Sequence, residues 1–131
     1  MKLALGLGCD RGTPSATIEH AIAEALAACG AQLADVCSVA SIDLKANEHG
    51  LLQVAEKHGW TIRFYPAAEL AAIDVPNPSE TVRQHTGTPS VSEAAALRVG
   101  GVDASHLLLE KHKLRGPDGR NATVSIARIA E

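Results

Sequence analysis

The stretch Gly6-Leu7-Gly8-Cys9-Asp10-Arg11-Gly12-Thr13-Pro14-Ser15 constrains the fold of this chain more than any other. Lys2-Leu3-Ala4-Leu5 before it reads as the start of a buried strand, and Ile18, Ile22, Ala25, Leu26 and Cys29 after it recur at helical spacing. The decapeptide is therefore a strand-to-helix turn. Its glycines allow positive φ or close approach of the backbone to a ligand. Thr13 is the expected N-cap and Pro14 the first helical residue, where a missing N–H costs nothing. The free N–H groups of that first turn suit an anion.

Gly12-Thr13-Pro14-Ser15 recurs as Gly87-Thr88-Pro89-Ser90. The second copy also opens a helix: Ser90 and Glu93 have capping-box spacing, and Val91, Ala94, Ala95 and Leu97 follow. Both turns are expected at one edge of the sheet, bordering a common pocket.

With 131 residues, the chain suits one domain over 1–131 with a real core. It is 46% hydrophobic but 2% aromatic, so that core is Ala, Leu, Val and Ile. No apolar run is long enough to span a bilayer and no signal-peptide pattern is present, so a cytoplasmic protein without membrane contact is expected. Cys9, Cys29 and Cys37 form no Cys-x-x-Cys, and the six histidines form no zinc pattern, so neither metal nor cofactor is expected. A net charge of −3 and sparse aromatics argue against nucleic acid. The segment from Lys111 through Lys113, Arg115 and Arg120 to Arg128 is locally basic, which fits a patch for a small anionic ligand or solvated hairpin arms.

In order, strands are expected over 2–8, 36–40, 61–65, 106–110 and 123–127. Helices are expected over 14–29, from Asn47 to near Gly59, over 67–72, from Ser79 to His85, and from Ser90 to near Gly100. Val75-Pro76-Asn77-Pro78 reads as an extended linker, and Arg115-Gly116-Pro117-Asp118-Gly119-Arg120 as a tight turn. This alternation predicts an α/β three-layer sandwich with a mostly parallel five-stranded sheet and a C-terminal antiparallel hairpin. Ligands of such sheets bind at the carboxyl ends of the strands.

The spacing Gly-x-Gly-x-x-x-Gly is one residue longer than the dinucleotide fingerprint, and no acidic residue clearly ends the second strand; no Gly-Lys-Ser/Thr marks a P-loop. Ser41-x-Asp43-x-Lys45 with Glu48 is the densest polar group after a strand. It reads either as capping with a surface ion pair or as a ligand clamp, with Ser41 and Lys45 donating to carboxylates and Asp43 accepting from amides. Cys9 has no visible base beside it, so a buried structural thiol is expected rather than a nucleophile. Arg11 has Asp10 beside it as an internal partner.

Five motifs in order then carry a resemblance: Gly6 through Gly12; Ser38-Val39-Ala40-Ser41-Ile42-Asp43-Leu44-Lys45-Ala46-Asn47-Glu48-His49-Gly50-Leu51; Pro76-Asn77-Pro78-Ser79-Glu80; Gly87 through Leu97; and Thr123-Val124-Ser125-Ile126-Ala127-Arg128. Together they resemble the CobE family and the C-terminal domain of CbiG, proteins of cobalamin biosynthesis. The family's first turn usually reads Gly-x-Gly-Cys-Arg-Arg-Gly, and Asp10 stands here in place of the first arginine. The resemblance implies a protein that binds a corrin-ring intermediate, as a carrier or as an accessory to another cobalamin-pathway enzyme. Any cobalt would arrive inside that ligand. Candidate contacts are Gly8, Cys9, Arg11, Gly12, Thr13, Ser41, Asp43, Lys45, Glu48, Thr88, Ser90, Glu93 and Lys111, with no catalytic residue assigned. One alternative is a hydrolase opening a lactone on the same kind of precursor with loss of a two-carbon fragment, using Asp43, Glu48 or Cys9. The other is a non-catalytic domain that docks a pathway partner.

Overall fold

The computed structural model describes residues 1–75 and 91–129. Five strands, β1 (Leu3–Cys9), β2 (Val36–Ile42), β3 (Ile62–Tyr65), β4 (Leu107–Arg115) and β5 (Asn121–Arg128), form one sheet in the order β3-β2-β1-β5-β4. β1 pairs parallel with β2, and β2 with β3; β5 is antiparallel to both β1 and β4. Four strands thus share one direction and β5 alone is reversed. The sheet is mixed rather than mostly parallel by pairing, because the C-terminal hairpin inserts its second strand beside β1 instead of adding at an edge.

Helices α1 (Ser15–Ala28) and α2 (His49–His58) cover one face; α3 (Ala67–Ala71) and α4 (Val91–Gly100) cover the other. Alternation along β1 decides what each face receives. Leu3, Leu5 and Leu7 pack with Ile18, Ile22, Leu51 and Val54 of α1 and α2. Ala4 packs with Ala96 and Leu97 of α4. Burying one such aliphatic side chain stabilises the fold by about 1.5–3 kcal/mol.

The α4 face is built for closeness. Ala94, Ala95 and Ala96 are fully buried, and a Cβ on Gly6 would lie 1.8 Å from the Ser92 carbonyl oxygen and 2.7 Å from the Ala96 nitrogen. Gly6 therefore serves helix packing and not a ligand. A Cβ on Gly100 would in turn meet Ala4, so α4 runs antiparallel to β1 and starts toward its carboxyl end.

Some boundaries differ from the sequence pattern. Pro14 is the N-cap of α1, with extended ψ of 149°, and Ser15 is the first helical residue. Thr13 is not the cap: its hydroxyl donates to the Asp10 carbonyl oxygen at 2.6 Å and so stabilises the turn. Both hairpin strands are longer than expected because pairing continues from Leu107↔Ala127 down to Arg115↔Asn121. The linker after Val75, the helix expected from Ser79 and the second Gly-Thr-Pro-Ser turn lie outside the described residues. No helix among the described residues is long and apolar enough to cross a membrane.

Candidate functional site

The turn after β1 is fixed by bonds that converge on it from two elements. Asp10 accepts the Asn121 backbone N–H at 2.8 Å and its side-chain amide at 3.0 Å, and its own N–H donates to the Asn121 carbonyl at 2.9 Å. Asp10 is thus committed to β5, and Arg11 turns to Glu48 rather than to its neighbour. The Arg11 Nη1 lies 3.7 Å from Glu48 Oε1. Glu48 Oε2 accepts the Gly12 N–H at 3.2 Å. Gly12 has a φ of 79°, the left-handed region where a side chain is strained. The Arg120 Nε donates to the Arg11 carbonyl at 3.0 Å, bringing the hairpin tip beside the turn.

A cleft of about 440 Å³ opens between this turn and the start of α2, lined by Arg11, Gly12, Ser15, Glu48, His49 and Gln53 among others. Neither α1 nor α2 has a side-chain cap, so two uncapped helix N-termini open onto one cleft. Gly50 makes this possible: a Cβ there would lie 2.3 Å from the Thr13 carbonyl oxygen. The first turn shares this cleft with the start of α2; the expectation that it also borders the second Gly-Thr-Pro-Ser copy falls on residues outside the described ones. Thr88 and Ser90 lie outside the described residues, while α4, which follows them, starts toward the carboxyl end of β1 on the opposite face.

Along β2 the expected clamp separates. Ser41 is fully buried and its hydroxyl donates to the Leu7 carbonyl at 2.7 Å, a bond inside the sheet; the expected donation to a ligand carboxylate is not what this hydroxyl does. Asp43 is exposed at the start of the 3-10 turn Asp43–Lys45. Lys45 is half-buried and, among the described residues, its side chain makes no ion pair or hydrogen bond. It lies near enough to Cys9 to favour the thiolate, but burial outweighs it and pushes the Cys9 thiol up to about 11. A thiol held protonated well above neutral pH is a poor nucleophile, in keeping with a structural Cys9.

The remaining candidates lie elsewhere. Gly8 sits within β1, where a Cβ would meet the Thr123 hydroxyl at 2.6 Å. Glu93 is fully buried in the first turn of α4, with Lys111 Nζ of β4 at 3.7 Å from its Oε1. That pair belongs to the α4 face. The structure thus brings Arg11, Gly12, Thr13 and Glu48 to one cleft, places Lys45 by Cys9, and leaves Glu93 and Lys111 under α4. Gly50, His49 and Gln53 were not singled out from sequence. The only signal for Gly50 was a glycine in the first turn of a helix, where it costs helical stability without a packing reason. Among the described residues, no group of three or more His, Cys, Asp or Glu side chains could hold a metal ion.

Residues 3–127 match the family described as Cobalamin synthesis G C-terminus. The chain is 40% identical over 127 residues to a cobalt-precorrin-5A hydrolase of Priestia megaterium, covering 97% of this chain but 32% of that protein. It is 40% identical over 111 residues to protein CobE of a Sinorhizobium species, covering 83% of this chain and 71% of that one. Among solved structures, that of CobE, a protein from the cobalamin (vitamin B12) biosynthetic pathway, superposes with a TM-score of 0.83 at 32% identity, over 99% of this chain and 95% of the other. The chain thus spans about a third of the hydrolase's length and most of CobE's.

Proposed function

This chain belongs to the cobalamin synthesis G C-terminal family, and on that premise we propose that it binds a corrin-ring intermediate of cobalamin biosynthesis, as a carrier or as an accessory to a pathway enzyme. The supporting observation is Lys45. Lys45 is a half-buried residue whose side chain makes no ion pair among the described residues, so its ammonium is free to meet an anion from outside. It stands after β2, at the sheet edge where α/β folds take ligands. Corrin intermediates carry carboxylates around a broad ring, and such a carboxylate would complete Lys45 with a charge-assisted hydrogen bond. The cleft between the α1 and α2 N-termini would take a further polar part of the ligand. Cobalt, where present, would be cargo within the ring.

The test is titration with dicyanocobyrinic acid, a corrin with free carboxylates, followed by visible absorption and co-elution. A saturable spectral change supports the reading. Neither a change nor co-elution, with several corrins tried, would sink it and favour a domain that only docks a protein partner.

The hydrolase relative keeps a second reading in play, in which the chain helps open a lactone on the ring. Of its candidate residues, Cys9 is protonated, Glu48 is buried and tied to Gly12, and Asp43 is exposed. Since the chain spans about a third of that relative, this activity would need residues from a partner or from further sequence. Incubation with a lactone precursor and assay for the two-carbon product separates the two readings.

A further inference from the structure

A glycine-rich turn between a strand and a helix N-terminus is a ready seat for phosphate, since its N–H groups and the helix dipole favour an anion. In this chain the seat already holds an anion of the chain itself. Glu48 Oε2 takes the Gly12 N–H at 3.2 Å, and Glu48 Oε1 lies 3.7 Å from the Arg11 guanidinium. The Glu48 side chain is 5% exposed while that of Arg11 is 77% exposed, so the carboxylate is fixed and the guanidinium is the mobile partner. Glu48 cannot easily withdraw. Its helix is clamped to the turn at Gly50, where not even a methyl group fits against the Thr13 carbonyl.

We propose that Glu48 is a specificity-determining residue that keeps phosphate-bearing ligands off the first turn, so that ligand charge is read at Lys45. The half of the statement that concerns Lys45 rests on the corrin-binding reading; the exclusion of phosphate does not. A phosphate brought to Gly12 and Arg11 would stand beside a buried carboxylate, where like charges repel strongly because little water screens them. It would also have to displace Glu48 from the Gly12 N–H, leaving a buried charge without its hydrogen bond. A glycine-rich turn whose N–H groups would otherwise suit a phosphate is thereby closed to it by a residue thirty-six positions downstream.

The experiment is a titration with inorganic phosphate at constant ionic strength, followed at the backbone amides of Gly12 and Ser15 by NMR. Wild type is compared with Glu48→Gln, which keeps the size of the side chain, removes its charge and offers an amide NH2 that can donate to a phosphate. Wild type is expected to show no saturable shift. Glu48→Gln should show one, with affinity raised at least about tenfold, the scale of a single charge-assisted contact. Saturable binding by wild type at these amides overturns the proposal, and so does a folded Glu48→Gln that gains nothing. If Glu48→Gln does not fold, Glu48→Asn carries the same arm. The corrin titration of Lys45→Ala runs without phosphate, so the two inferences can fail separately.

Discussion

Lys45, in the turn after β2, and Lys111, on β4, are both half-buried lysines, and they differ in what completes them. Lys111 has the fully buried Glu93 within 3.7 Å, under a helix whose backbone presses on Gly6. The Lys45 side chain makes no ion pair among the described residues, and it stands after β2, near Cys9. The lysine under α4 is paired within the protein, whereas the side chain of the one after β2 has no ion pair among the described residues. A buried pair holds an architecture together, whereas an uncompensated half-buried charge is a demand that a ligand can meet.

The packing side of this contrast should break most sharply at Gly6. Gly6→Ala forces the α4 backbone away from β1 and is expected to cost about 3 kcal/mol, the upper range for overpacking. Urea denaturation measures it; a loss under a few tenths would show that α4 does not rest on β1 as described.

The two lysines should then separate by readout. Lys111→Ala takes the ammonium from beside the fully buried Glu93 carboxylate and is expected to destabilise the protein by about 2 kcal/mol, in the range for an interaction with a charged group. Lys45→Ala orphans nothing and should move the melting temperature very little. Equal melting temperatures for the two variants would erase the distinction between the faces.

Much of this fold was legible in the sequence. Alternating strands and helices announced the layered sheet, and the apolar stripe of Ile18, Ile22, Ala25 and Leu26 marked the buried side of α1. The insertion of β5 beside β1 was not legible, because a hairpin signal fixes the pairing of its own strands and not the neighbour each finds. The site was legible in part. Glycine-rich turns advertise themselves, but Gly6, Gly8 and Gly12 have different tasks: a helix contact, a cross-strand contact and a left-handed turn. Ser41 and Lys45 looked like one clamp because they are close in sequence; β2 is covered on both faces from Val39 to Ile42, which buries the first, and the strand's end releases the second. The Arg11–Glu48 pair spans a distance in sequence that no local pattern reports.

A smaller effect concerns thiol chemistry. Burial raises the Cys9 pKa from an ordinary thiol's 9.0 to about 11. Since the unfolded chain releases this proton at lower pH than the folded one, the associated stability is fully present below about pH 9 and is lost as pH rises toward about 11. Iodoacetamide should therefore label the exposed Cys37 at neutral pH and Cys9 only as pH approaches 11, as read by peptide mass mapping. Labelling of Cys9 at pH 7 as fast as Cys37 would mean a thiolate poised for reaction and would reopen the hydrolase reading.

The most direct measurement is the affinity of wild type and Lys45→Ala for dicyanocobyrinic acid, taken from visible absorption under one buffer condition. Saturable binding by wild type, weakened in Lys45→Ala by about 1.5–3 kcal/mol with the melting temperature unchanged, is the result expected for a lysine that grips a ligand carboxylate. Equal affinity in the two proteins would return Lys45 to the class of solvated surface charges and contradict the assignment of this edge as the binding site.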